Sequence, residues 1–173
     1  MTRGAQGLAL RRQEERPSRS SGMRIRALAA NDGEPAARGA DAADEAADRV
    51  RALWRDRGAL GALSCCTAAL DRFPLALELY HLRSTLLLEL DRCHEAAGAL
   101  RCALLLDRTS IVVRITLGVV LERIGDRGGA RREYELAIAL AAVAEQDAVV
   151  PLSQCGLPAH FDRVARARLA RLD

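Results

Sequence analysis

The chain has 173 residues, enough for one domain with a real core. Half of its residues are apolar but only 3% are Phe, Trp or Tyr, so the interior is built from Leu, Ala, Val and Ile, a palette suited to packed helices. All 26 basic residues are Arg and the net charge is only +3, which gives no global electrostatic case for nucleic acid as a partner. The longest apolar run near the start is Gly7-Leu-Ala-Leu10; it is too short for a signal peptide, and no stretch approaches a membrane span. The cysteines, Cys65, Cys66, Cys93, Cys102 and Cys155, are odd in number and lack C-x-x-C spacing. They argue for small helix-borne hydrophobes in a reducing cytoplasm and not for a disulfide framework or a metal site.

Residues 1–42 are expected to form a disordered tail, rich in Arg, Ser, Gly, Ala and Pro and without an apolar period that could offset the entropy of ordering. Up to Ala30 it carries Arg3, Arg11, Arg12, Arg16, Arg19, Arg24 and Arg26 against Glu14 and Glu15, whereas acidic residues dominate from Asn31 to Val50. The bland reading is a solvated tail, or a true start at Met23; a basic arm is the functional one.

Helical period sets in near Ala42, with Ala46, Val50, Leu53 and Trp54 on one face of a helix that ends at Gly58. A second helix runs from Ala59 to Arg72 and stops before Phe73-Pro74. A further pair begins at Leu77, with Tyr80, Ser84, Leu87, Ala96, Leu100 and Ala103 as its marks. Ile111 opens the best-formed pair, marked by Leu117, Gly118, Leu121, Gly125, Ala130, Tyr134 and Ala137. The β-branched run Ile111-Val-Val-Arg-Ile-Thr-Leu also reads as a strand. Its continuation through Ile124 to Gly125, and Thr109 and Ser110 as cap candidates, favour helix. Small Gly118 and Ala130 let two helices approach, with Tyr134 and Leu121 filling the space beside them.

These marks recur at a spacing of about 34 residues and resemble the tetratricopeptide repeat. The implied fold is all-α, with about three helical hairpins in residues 43–144 stacked in a short solenoid. The first repeat is degenerate, with Val50 where a Gly is usual, and the second has Arg108 in place of the closing Pro. Residues 145–173 are expected to form a loop and a C-terminal capping helix, with Pro158 in its first turn. Phe161, Val164, Ala165, Leu169 and Leu172 line that helix's apolar face, and Arg163, Arg166, Arg168 and Arg171 occupy the rest.

In this repeat type the first helix of each hairpin faces a concave groove. The positions concerned carry Asp44, Ala47, Arg51 and Trp54 in the first repeat. In the second and third they are Glu78, His81, Thr85 and Leu88, and then Val112, Ile115, Val119 and Glu122. These last eight are the candidate partner-binding groove, with Val112, Ile115 and Val119 as first candidates for contact. A helix or extended peptide of a protein partner is the expected occupant, although the chain's own C-terminal helix is a rival guest. Repeats that clamp a partner's terminal carboxylate use Lys, Arg and Asn at these positions, and only Arg51 qualifies.

A narrower resemblance rests on Leu104-Leu-Leu-Asp-Arg-Thr-Ser-Ile-Val-Val, Leu117-Gly-Val-Val-Leu-Glu-Arg-Ile-Gly-Asp and Ala130-Arg-Arg-Glu-Tyr-Glu-Leu-Ala-Ile-Ala-Leu. With the tail Asp147-Ala-Val-Val-Pro-Leu-Ser-Gln-Cys-Gly-Leu, these are similar to the repeat region of bacterial chemotaxis-type protein-glutamate methyltransferases. The resemblance implies a module that docks a methyltransferase or receptor component in chemosensory signalling. It does not imply catalysis: Gly58-Ala-Leu-Gly61 lies between two helices, without the preceding strand that an S-adenosylmethionine loop needs. His81, His94 and His160 are far apart in register, and no nucleophile–base pair or metal-ligand cluster is present. The expectation is therefore a non-catalytic, cofactor-free protein-binding module with neither nucleic acid nor membrane as partner. A general scaffold or self-associating repeat protein is the alternative.

Overall fold

The computed structural model describes residues 34–152 and 156–172. Two units divide the chain, Met1–Ala36 and Ala37–Asp173, and the packed helices lie in the second. The tail up to residue 33, the alternative start at Met23, and Cys155 lie outside the described residues. Helices α1 (Glu34–Arg72), α2 (Leu77–Glu89), α3 (Cys93–Leu106), α4 (Ile111–Ile124), α5 (Arg127–Val143) and α6 (Pro158–Leu169) follow in order, with no strand among the described residues. The chain at Ile111 is thus helix, and its buried Ile111, Val113, Ile115, Leu117 and Val120 show why: neighbours on both sides reward an apolar surface all round. Helix α1 begins at Glu34, ahead of the period at Ala42, with Pro35 in its first turn and Ala36 and Ala37 favouring helix.

Three helical hairpins result, in the tetratricopeptide-repeat fold. The first is α1 itself, folded back at Gly58, whose φ of 70° and ψ of −179° suit glycine and almost no other residue. Its two arms bury Ala47 and Val50 against Ala62, Cys66 and Leu70, and Leu79, Leu82 and Leu86 of α2 complete that cluster. A second cluster joins α3, α4 and α5, the loop residue Val150, and Ala165 of α6. Cys66 is fully buried, and burial raises its thiol to about 11, an inert hydrophobe as its helix position predicts. Cys102 departs from that expectation, standing exposed on the outer side of α3.

Gly118 lies directly against the ring of Tyr134 across the third hairpin. A Cβ built at Gly118 would lie 2.7 Å from Cζ and 2.9 Å from Cδ1 of the tyrosine ring, so the helices approach as closely as they do only because that side chain is missing. The ring is 0% exposed and its hydroxyl donates to Oε1 of Glu122 at 2.5 Å.

The turn between α4 and α5 shows how local sequence sets the hairpin. Gly125, at φ 89°, ends α4 in the left-handed conformation. Asp126 then caps α5, its carboxylate accepting from the Gly129 amide at 2.8 Å. Gly129 is fitted to this cap: a Cβ there would come within 2.8 Å of the Asp126 carboxyl carbon and crowd the capping side chain. Gly128 meets nothing closer than 3.9 Å. Gly128→Ala is therefore expected to stabilise the protein by about 0.5–1 kcal/mol, and a lowered urea midpoint would show that its Cβ is not tolerated.

The start of α4 differs from expectation. Ser110 is its N-cap residue but makes no capping bond, and its hydroxyl is buried without a partner among the described residues. Asp107 has taken over the local polar work, accepting from the Thr109 amide at 2.8 Å and the Thr109 hydroxyl at 2.6 Å. Such Asx turns compete with helix capping wherever Asp precedes Thr or Ser by two residues.

Two bonds of equal sequence separation tie successive repeats near the ends of their first helices. The indole of Trp54 donates to Glu89 at 2.7 Å, and Arg123 donates to the Leu88 carbonyl at 3.1 Å. Helix α6 packs along α5 and touches α4, covering the open end of the array. Pro158 is at its first turn, and Phe161, Val164, Leu169 and Leu172 rest on the core as their spacing predicts. Its Arg residues do not all face water: Arg168 turns inward to Glu122, at 3.5 Å, and Arg127 of α5 donates to the Leu172 carbonyl at 3.0 Å.

Candidate binding groove

The first arm of α1 and helix α2 present their concave sides to each other across an open groove of about 790 Å³. Arg51, Trp54, Glu78, His81 and Thr85 line it, all at positions the repeat frame assigns to the concave face. Helical spacing explains the grouping. Arg51 and Trp54 stand three residues apart on one arm, and Glu78, His81 and Thr85 three and four apart on α2, so each set forms a stripe on one side.

Arg51 is the centre of the polar wall. Its guanidinium is ion-paired with Glu78 across the groove and bonded at 2.7 Å to Asp48 on its own helix. Burial, and then the nearby Arg51 charge, hold His81 below its ordinary value of 6.5, so the ring is neutral near pH 7. A histidine whose folded-state value is depressed stabilises the fold above pH 6.5, and that contribution is lost as the pH falls. His81→Gln is accordingly expected to lose less of its urea midpoint than the parent between pH 7 and pH 5. Equal losses would mean that His81 stays solvated.

The remaining residues assigned to the concave face do not line this groove. Ile115 is 8% exposed, and Leu88, Val112 and Val119 pack against the main core. Glu122 is engaged by the Tyr134 hydroxyl and by Arg168 of α6. Of the eight candidate groove residues, Glu78, His81 and Thr85 come together beside Arg51 and Trp54, whereas Leu88, Val112, Ile115 and Val119 pack into the core and Glu122 meets Tyr134 and the capping helix.

Four lining residues were not among the positions assigned to the concave face. Asp48, Arg55 and Leu82 neighbour the assigned positions on the same helices, and a wider stripe would have included them. Leu152 could not have been found that way. It belongs to the loop after α5, sits at a left-handed φ of 66°, packs on the core and reaches the groove wall.

Elsewhere, an apolar pocket of about 320 Å³ lies where the loop after α5 passes the start of α4, lined by Ile111, Leu140, Val143, Val149 and Pro158 among others. Among the described residues no group of His, Cys, Asp and Glu is placed to hold a metal ion, and no helix is long and apolar enough to cross a membrane.

No protein-family model matches the chain, and no curated protein matches it. Solved structures do. The first tetratricopeptide domain of Spaghetti (RPAP3) bound to the HSP90 peptide SRMEEVD aligns over 75% of this chain and 89% of its own, at 15% identity and a TM-score of 0.60. The second such domain of human RPAP3, in complex with the HSP70 peptide SGPTIEEVD, covers 75% and 93% at 17% identity and a TM-score of 0.59. The Sgt2 domain from Aspergillus fumigatus covers 75% and 78%, also at 17% and 0.59. The chain shares with these domains the tetratricopeptide-repeat fold.

Proposed function

We propose that this protein is a non-catalytic peptide-binding module whose partner lies in the groove between the first arm of α1 and α2. The observation that carries this reading is the groove itself. It is open, about 790 Å³ in volume, and lined by the apolar Trp54 and Leu82 together with polar groups, the mixture that recognises a peptide by anchor and orientation. That structural neighbours hold peptides supports the reading. The chemosensory setting, a cytoplasmic module docking a methyltransferase or receptor component, is supported by the sequence resemblance from Leu104 through Leu140 and in the tail. The residues in contact are Glu78, His81 and Thr85, with Arg51 and Trp54.

Panning a random peptide library on the protein tests this. Binders are expected to lose at least about tenfold in affinity with Trp54→Ala, the loss of one buried aromatic anchor, and similarly with Thr85→Arg, which fills the groove from the other wall. Binders indifferent to both variants would place recognition elsewhere.

A further inference from the structure

The charges of the groove separate two kinds of peptide. Arg51 and Arg55 are the basic residues that line it, and Asp48 and Glu78 the acidic ones, so the lining is electrically balanced. Arg51 is moreover occupied: Glu78 and Asp48 both hold its guanidinium. A peptide carboxylate arriving there would have to displace one of them and would then lie beside two like charges. His81, neutral by burial, supplies no cation in compensation. Beyond this wall the surface is apolar. Leu82 is 7% exposed, the Trp54 ring is half-buried with its N–H already given to Glu89, and Leu152 closes the edge. A satisfied indole offers its faces and not its donor, which favours contact with an aromatic or aliphatic side chain.

From this charge balance and apolar floor, and resting on the groove being the binding site, we propose that its occupant is an internal, near-neutral peptide segment anchored by one aromatic or large aliphatic side chain. The acidic peptides held by the structural neighbours would find Arg51 already paired and only Arg55 left among the lining cations, so this groove favours them less than a near-neutral segment. Leu152 is a specificity residue in this arrangement, since it widens the apolar floor from outside the repeat helices.

Two displayed libraries, panned side by side on the full chain, test this. One presents peptides with free C-termini and acidic final residues; the other presents random segments blocked at both ends. The blocked library alone is expected to enrich, for sequences with a large apolar residue and net charge near zero. Their affinity is expected to change by less than about threefold between 50 and 500 mM salt, because little net charge is being screened, and to fall about fivefold with Leu152→Ala. Enrichment from the acid-terminated library, or binding of SRMEEVD that alters the fluorescence of Trp54, the single tryptophan of the chain, would overturn this specificity while leaving the binding module standing. If neither library enriches, the binding module falls as well.

Discussion

Truncating Tyr134 to alanine is expected to destabilise the protein by about 3–5 kcal/mol, the range for emptying a buried aromatic site. The ring is fully buried among α3, α4 and α5, and its removal leaves a cavity beside Gly118 that the close helix contact cannot collapse. It also removes the hydroxyl that donates to Glu122, leaving that carboxylate with Arg168 at 3.5 Å. Because domains of this size are stable by only about 5–15 kcal/mol, the variant should sit near the edge of folding. Tyr134→Phe separates the two contributions: it keeps the packing, and losing one bond to a charged acceptor should cost about 1.5–3 kcal/mol. Equilibrium urea unfolding measures both. A Tyr134→Ala midpoint close to the parent's would mean that the ring is not the centre of the third hairpin.

Replacing Gly118 by leucine is expected to cost about 3 kcal/mol, at the upper end of overpacking penalties. Even a Cβ would lie 2.7 Å from the Tyr134 ring carbon Cζ, and the ring has no exposed side toward which to move. Since both substitutions act on one space, they should not add. Leucine at position 118 would occupy part of the volume vacated in Tyr134→Ala, giving a favourable coupling of about 1–3 kcal/mol in the double variant. Strict additivity would show that the two residues do not share that space.

The pair also explains why the fold was so legible in the sequence. A tyrosine sixteen residues after a glycine, with Ala130 and Ala137 around it, is a record of two helices touching, and the marks recur because each hairpin meets the same geometric demand. Gly58 and Gly125 were equally readable, because left-handed breaks leave few residue choices. Capping at α4 was not readable, since Asp107, Thr109 and Ser110 offer competing local bonds and the sequence does not rank them. The groove was legible only in part. Periodicity assigns a side chain to the concave face, but it does not say whether another segment covers that face. Arg51, Trp54, Glu78, His81 and Thr85 remain around open space, whereas Ile115 and Glu122 meet the core and the capping helix. Leu152 lay beyond sequence reasoning because a loop has no period.

The capping helix bears on function as well as stability. By engaging Glu122 through Arg168, α6 uses a residue that the repeat frame assigns to the groove, and so shortens the surface open to a partner. The remaining groove lies between two helices packed through their shared apolar cluster and bridged at the surface by the Arg51–Glu78 pair and the Trp54–Glu89 bond. A peptide bound there, as proposed, would meet walls already bridged, which lowers the ordering cost of binding.

Nuclear magnetic resonance of the 15N-labelled protein, titrated with a peptide obtained from the panning, reads directly whether this groove is the binding surface. The single indole N–H signal of Trp54 is expected to move together with the amides of Arg51, His81 and Thr85. Shifts confined to the outer sides of α3 and α5, or to Val112 and Val119 with Trp54 unmoved, would contradict it.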